Sequence, residues 1–399
     1  MTKVEQVLWR FIDKNSKWLF LAIVSLLAGV IRYIGKDFMS GDMHYFLIPW
    51  YDNIKSLGGL QGLGTQVGNY NILYQTIIAL FTYLNINSIY LYKILSCLFD
   101  FFLAFSCGYI ICDWLGKNWR KDRTFDFVYA VFLFLPTVIL NSAYWGQCDS
   151  IYVSFIIWTI YLLFKGKYRL SFLVLGIALA FKLQSVFIVP FLIYFYCYNR
   201  KFSIFYFLYT IGAFWLSGIV GYLQGRNLLD GFRIYLHQTD TYHEMYMNIS
   251  SFWLLVGNSY ASLNRMALIL TVVILGIGLY IVLVYKKKIN TPSTFLSIAV
   301  WSVWTVILFL PAMHERYTYM LDILLVMICV LNWRYLPFAI GETILSLITY
   351  GYYLFGSGSI NIVFAVVNVI LWISFGLTLG KFEFIDKKDS SERTVKCPS

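Results

Sequence analysis

The chain has 399 residues, 60% hydrophobic and 13% charged, with a mean hydropathy of +0.69 and a formal net charge of +11. A membrane-spanning helix needs roughly 20 apolar residues, and such runs recur from end to end, which excludes a soluble domain of useful size. The positive excess lies in short loops between these runs, so it reads as membrane sidedness and not as nucleic-acid binding.

Residues 1–17 place Lys3, Arg10, Lys14 and Lys17 beside Val4, Val7, Leu8, Phe11 and Ile12 at helical spacing. This is the pattern of an amphipathic helix on a cytoplasmic headgroup surface. Residues 18–34 run longer than a signal-peptide core with no small-residue cleavage site after them, so they read as an uncleaved first span. Further spans are expected near 89–113, 126–142, 149–164, 170–181, 185–198, 203–222, 263–285, 295–311, 317–331, 335–354 and 361–380. The fold class is an all-α polytopic membrane protein with about 11 to 13 transmembrane helices. One transmembrane domain covers 18–380, and a cytoplasmic tail covers 381–399. Segments 170–181 and 185–198 are short for two crossings, so either both cross or the pair forms a re-entrant hairpin shielded by protein.

Most of the 31 Lys and Arg residues lie in the N-terminal segment, Lys117–Arg123, Lys165–Arg169, Arg200–Lys201, Lys286–Lys288, Arg334 and the tail from Lys381. Positive loops stay inside, which makes both termini cytoplasmic. The outer side then collects 36–88, 143–148, the turn at Lys182, 223–250, 312–316 and 355–360. The large first outer loop contains Ile72–Leu84, too short to span and suited to an interfacial helix.

His314, Glu315 and Arg316 stand between the apolar runs Phe295–Leu310 and Met320–Leu331. An ionisable side chain at the bilayer centre costs about 3 kcal/mol, so three together mark a cavity, an interface or a binding site. Arginine and histidine neutralise a phosphate, and the glutamate fixes their geometry. Asp42 follows Ser40-Gly41 and precedes His44, Pro49, Trp50, Tyr51 and Asp52; it is either a helix N-cap or a general base. Trp145-Gly146-Gln147-Cys148-Asp149 is either an interface anchor leading into a capped helix, or a site in which Gln147 meets sugar hydroxyls. Lys182 either snorkels or binds a lipid-linked phosphate. Lys93 and Asp100 share one helical face and each pairs with a neighbouring helix. His237, Asp240 and Glu244, with His243 nearby, fit no zinc signature and read as a solvated loop. The seven cysteines, Cys397 among them, show neither disulfide nor metal spacing.

Ser40-Gly41-Asp42 with Pro49-Trp50-Tyr51, Gly68-Asn69-Tyr70-Asn71, Trp145–Ser150, Lys182-Leu183-Gln184 and Met313–Tyr317, in this order, resemble recurring segments of a bacterial membrane family. That family is mannosyltransferase-like, related to the second mannosyltransferase of GPI-anchor synthesis, within the GT-C class of glycosyltransferases. The resemblance runs through most of the chain; Ile72-Leu73 stand where the family pattern has a proline. It implies a GT-C-like fold and inverting transfer of one sugar from a polyprenyl-phosphate donor to a glycan or glycolipid acceptor on the outer face. It makes Asp42 the catalytic base and places His314 with Arg316 at the donor phosphate, to which Lys182, as a basic group beside an outer cavity, is added as a third candidate. Asp149 with Gln147 would line the site, with Trp145, Glu315 and Tyr317 as further substrate-binding candidates and membrane lipids as surroundings. No cofactor is expected, because the cationic side chains can suffice for the leaving group, and a divalent metal is the disfavoured alternative. The rival readings are a polysaccharide polymerase or ligase and a lipid-linked sugar flippase or transporter, although paired broken helices and internal repeats, frequent in transporters, are not evident.

Overall fold

The computed structural model describes residues 1–239, 241–285 and 289–385; Asp240, the Lys286–Lys288 run and the tail from 386, with Cys397, lie outside the described residues. Helix α1 (Lys3–Ile34) opens with a capping box, in which the Thr2 side chain accepts from the Glu5 amide and the Glu5 side chain accepts from the Thr2 amide. It runs unbroken through Lys17, so the amphipathic segment and the first span are one helix. At 1.5 Å per residue it is about 48 Å long, more than a hydrocarbon core requires. The Lys17 ammonium pairs with Asp126 and bonds the Asp122 carbonyl; ahead of it Val4, Val7, Leu8 and Phe11 are exposed.

The first long connection carries a π turn at Met43–Leu47, α2 (Ile48–Ser56) and α3 (Ile72–Phe81). The apolar stretch at Ile72 is therefore helical as expected, capped by the Asn71 side chain on the Ile72 amide. Helix α4 (Ser88–Trp114) follows, then α5 (Arg123–Phe134) and α6 (Pro136–Ile139). The expected span 126–142 is broken here and bends by 52°, because Pro136 lacks an amide hydrogen and its ring displaces the preceding turn.

The chain continues through α7 (Asp149–Phe164), α8 (Tyr168–Phe181), a 3₁₀ segment Leu183–Ile188, α9 (Val189–Asn199), α10 (Phe207–Ser217), α11 (Ile219–Leu223) and α12 (Asp230–Thr239). After strand β1 (Tyr246–Met247) come α13 (Tyr260–Val284) and α14 (Pro292–Phe309), then strand β2 (Met313–His314), α15 (Tyr319–Leu331), α16 (Leu336–Phe355) and α17 (Ile362–Leu379). This is an all-α polytopic membrane protein. Among the described residues six helices are long and apolar enough to cross a membrane, seven with the bent pair. The larger number of crossings expected from sequence requires the shorter apolar helices as well, such as Asp149–Phe164 and Tyr319–Leu331.

Those short helices form the centre. Almost every side chain of α7 and α15 is buried, as a helix that is hydrophobic all round requires. The long helices α1, α13 and α17 lie outside, and Leu268, Ile269, Val272 and Ile277 of α13 face outward to the bilayer.

Buried charge pins the spans. Arg32 of α1 donates from Nε to Asp100 of α4 at 2.8 Å, and from Nη1 to the Ala28 carbonyl and the Leu133 carbonyl near the Pro136 break. The Lys93 ammonium caps the end of α1 through the carbonyls of Gly35 and Phe38, both at 2.6 Å. Asp100 and Lys93 thus each bond a neighbouring element. Asp322 of α15 and Glu342 of α16 are fully buried as well, and both Glu342 oxygens lack a hydrogen-bond partner among the described residues.

Candidate active site

One end of the bundle gathers the connections 35–87, 145–148, 182, 224–259 and 310–318. Arg226, buried between α11 and α12, ties two of them together by bonding the carbonyls of Leu63 and Thr65 and the side chains of Gln66 and Gln75. The Ala312 amide, at φ 58°, donates to the carbonyls of Glu244 and Met245, and a two-residue parallel ladder joins Tyr246-Met247 to Met313-His314. The turn after Pro311 is thereby fixed against the 224–259 connection.

The cap after α1 falls to Ser40 and not to Asp42. Ser40 Oγ accepts from the Met43 amide at 3.2 Å and donates to the Trp145 carbonyl at 3.0 Å. Asp42 has helical φ and ψ of −60° and −39° and no capping bond, so its carboxylate is free to turn inward. Oδ2 accepts from Trp145 Nε1 at 2.9 Å, Gln147 Nε2 at 2.7 Å and Arg316 Nη1 at 2.9 Å, and Oδ1 accepts from the Tyr353 hydroxyl. Burial pushes the Asp42 carboxyl up, but the Arg316 guanidinium and the Tyr353 and Trp145 donors outweigh it and hold the group below the usual carboxylate range. Asp42 is an ionised carboxylate with four donors and little exposure.

Trp145 is fully buried, stacked on Tyr353 with ring centroids 4.6 Å apart. Gly146 sits at φ 73°, and a Cβ there would meet Met43 Sδ at 3.0 Å, so glycine lets this turn lie against the first connection. Gln147 does not offer a free amide: Nε2 reaches Asp42, and Oε1 accepts from Tyr70 at 2.9 Å. Burial raises the Tyr70 hydroxyl well above its ordinary value, so it stays protonated and donates.

Asp149 and Lys182 form a second buried pair, with Asn141 Nδ2 donating to Asp149 Oδ2 at 2.8 Å. Lys182 is 4% exposed, so it does not snorkel. It lies 5.8 Å from the Tyr152 ring centroid and adds positive potential at Asp42.

Glu315 is buried, with its oxygens 3.6 Å from Arg316 and 3.7 Å from His314 Nδ1. The His314 ring meets Tyr242 edge-on at 4.3 Å, and Tyr317 packs against His314 and Phe187. Arg316 stands 5.6 Å over the Trp145 ring, and its Nε is buried without a hydrogen-bond partner among the described residues.

The candidates Asp42, Trp145, Gln147, Asp149, Lys182 and His314–Tyr317 therefore all lie at this end, around the Asp42–Arg316 contact and the Asp149–Lys182 pair. Sequence reasoning missed Tyr353, which had no signal among the 32 tyrosines, and Tyr242. Tyr70 lay inside a noticed segment but was given no role. In the 224–259 connection, Glu244 accepts from Asn258 and His243 meets the Tyr260 ring; among the described residues no group of three His, Cys, Asp or Glu side chains is placed to hold a metal. The assembly sets an anionic proton acceptor directly against a guanidinium, with a histidine close by. Compared with known proteins, no family model matches the chain and no curated protein matches it in sequence.

Proposed function

We propose that the protein is a GT-C-type glycosyltransferase. It transfers one sugar, with inversion, from a polyprenyl-phosphate donor to an acceptor hydroxyl on the extracytoplasmic face, for cell-surface glycan or glycolipid synthesis. The observation that carries the reading is the contact between Asp42 and Arg316, 274 residues apart in sequence. A carboxylate able to take a hydroxyl proton and a cation able to neutralise a phosphate meet in one cluster.

The acceptor oxygen forms a bond to the anomeric carbon as its proton passes to Asp42. The bond from that carbon to the phosphate oxygen breaks, and its electron pair stays on the phosphate. Arg316 and His314 neutralise the charge that develops there, supported by the potential of Lys182. Trp145 and Gln147 hold the base in position, and Tyr317 and Glu315 flank the cations. The basic side chains Lys117, Lys165, Arg200 and Arg334 belong to connections at the opposite end of the bundle. By the positive-inside rule that end is cytoplasmic, with both termini, and the site faces outward. No nucleotide sugar is at hand there, which favours a lipid-carried donor.

The test is transfer of radiolabelled sugar by purified protein in detergent, from a panel of polyprenyl-phosphate sugars to hydroxyl acceptors. One added sugar is expected, with turnover reduced about 1,000-fold in Asp42→Asn. Undiminished turnover in that variant removes Asp42 as base. A ladder of products indicates a polymerase, and failure to transfer any label withdraws the enzymatic reading.

A further inference from the structure

Three donors converge on Asp42 Oδ2, namely Trp145 Nε1, Gln147 Nε2 and Arg316 Nη1, while Oδ1 takes the Tyr353 hydroxyl. A carboxylate oxygen presents about two lone-pair directions, so Oδ2 is crowded by one donor. When Arg316 leaves, Oδ2 keeps two neutral donors and remains satisfied. Arg316 is in the opposite condition. It holds Asp42 through one nitrogen, its Nε is buried without a partner among the described residues, and a second carboxylate, Glu315, stands 3.6 Å from Nη1. A planar guanidinium is matched to two-point contact with an oxyanion, and this single-point contact leaves one edge of it unsatisfied.

We infer that the Asp42–Arg316 ion pair is a latch opened by the donor's phosphate: the phosphate draws Arg316 away through its Nε edge, and Asp42 is released to receive the acceptor hydroxyl. The inference rests on the proposed transfer from a polyprenyl-phosphate donor. It gives the reaction a compulsory order, donor before acceptor. The base gains proton affinity when its cationic neighbour departs, and the leaving group gains its cation in the same motion. With no donor present, a water molecule at the acceptor position faces a neutralised carboxylate.

The latch makes Asp42 a competitor of the phosphate, so removing its charge strengthens donor-phosphate binding while transfer falls about 1,000-fold. The experiment measures equilibrium binding of a polyprenyl monophosphate lacking a sugar, which keeps turnover out of the readout. Purified full-length wild type, Asp42→Asn, Asp42→Ser and Arg316→Gln are compared, with thermal unfolding as the control for folding. Two Asp42 variants are carried so that one misfolded protein does not decide the result. Both are expected to bind about tenfold tighter than wild type, and Arg316→Gln about tenfold weaker. Asp42 variants that bind no tighter, alongside a weakened Arg316→Gln, overturn the latch and leave the phosphate reading standing. Wild-type affinity in Arg316→Gln takes the phosphate away from Arg316 and overturns both.

Discussion

Two arginine–aspartate pairs differ in which member is anchored. In Arg32–Asp100 the side chains are 3% and 0% exposed; in Arg316–Asp42 they are 18% and 10% exposed. Arg32 makes three hydrogen bonds from two nitrogens, and Asp100 also receives Ser142 Oγ at 2.5 Å. Both members are held there, so the pair joins α1, α4 and the segment at the Pro136 break. In the second pair the carboxylate has four donors while the arginine holds it by one bond. Multiple anchors on both sides make an ion pair a fastener. Anchors on one side only leave the other side free to change partners.

The sharpest way to break this contrast is to remove each arginine in turn. Arg316→Gln is expected to lower kcat/KM for sugar transfer about 1,000-fold, roughly 4 kcal/mol of transition-state stabilisation. Its unfolding temperature should stay close to wild type, because Asp42 keeps Trp145, Gln147 and Tyr353. Arg32→Met should do the reverse. Leaving Asp100 buried without its cation destabilises the fold by about 3 kcal/mol, read as a lower thermal midpoint in detergent, while transfer per folded molecule is retained. The double variant Arg32→Met with Asp100→Leu should recover much of that loss, since an apolar pair of similar volume replaces a costly buried one. Should Arg316→Gln unfold early and spare kcat/KM, the two pairs are fasteners of the same kind and the distinction fails.

The sequence already carried the membrane class and five segments that the fold brings to one end. Met313–Tyr317 stood out because ionisable residues interrupt apolar runs there; Ser40–Asp42, Trp145–Asp149 and Lys182 each had a structural alternative, and the segment holding Tyr70 was marked only by the family resemblance. Their pairings were not legible. Asp42 and Ser40 are both competent caps by type, and only the Trp145 turn, about a hundred residues away, decides between them by accepting Ser40 and recruiting Asp42. Lys182 was open between snorkelling and phosphate binding because its partner Asp149 belongs to another helix. Arg226 and Tyr353 carry no local pattern at all. The break at Pro136 was readable from the residue itself, and the apolar run across it concealed the stop.

Tyr353 gives the finest test of how firmly the anchored side of the Asp42–Arg316 pair is held. Tyr353→Phe keeps the ring on Trp145 and removes one hydrogen bond to Asp42. That bond favours the ionised carboxylate, so losing it raises the proton affinity of Asp42. Because Asp42 titrates below its ordinary range in the folded protein, its contribution to stability is full above the unfolded value of about 3.9 and is lost as pH falls through the folded value. The acid limb of kcat/KM follows the same group, since the base must be ionised. In Tyr353→Phe that limb is expected to move upward by about one pH unit, the equivalent of ~1.4 kcal/mol, with a fall of about threefold on the plateau. A residue that only supported the Trp145 ring would change the thermal midpoint and leave the limb in place. An unmoved limb would therefore assign the acid-side titration to a group other than Asp42 and reduce Tyr353 to a packing role.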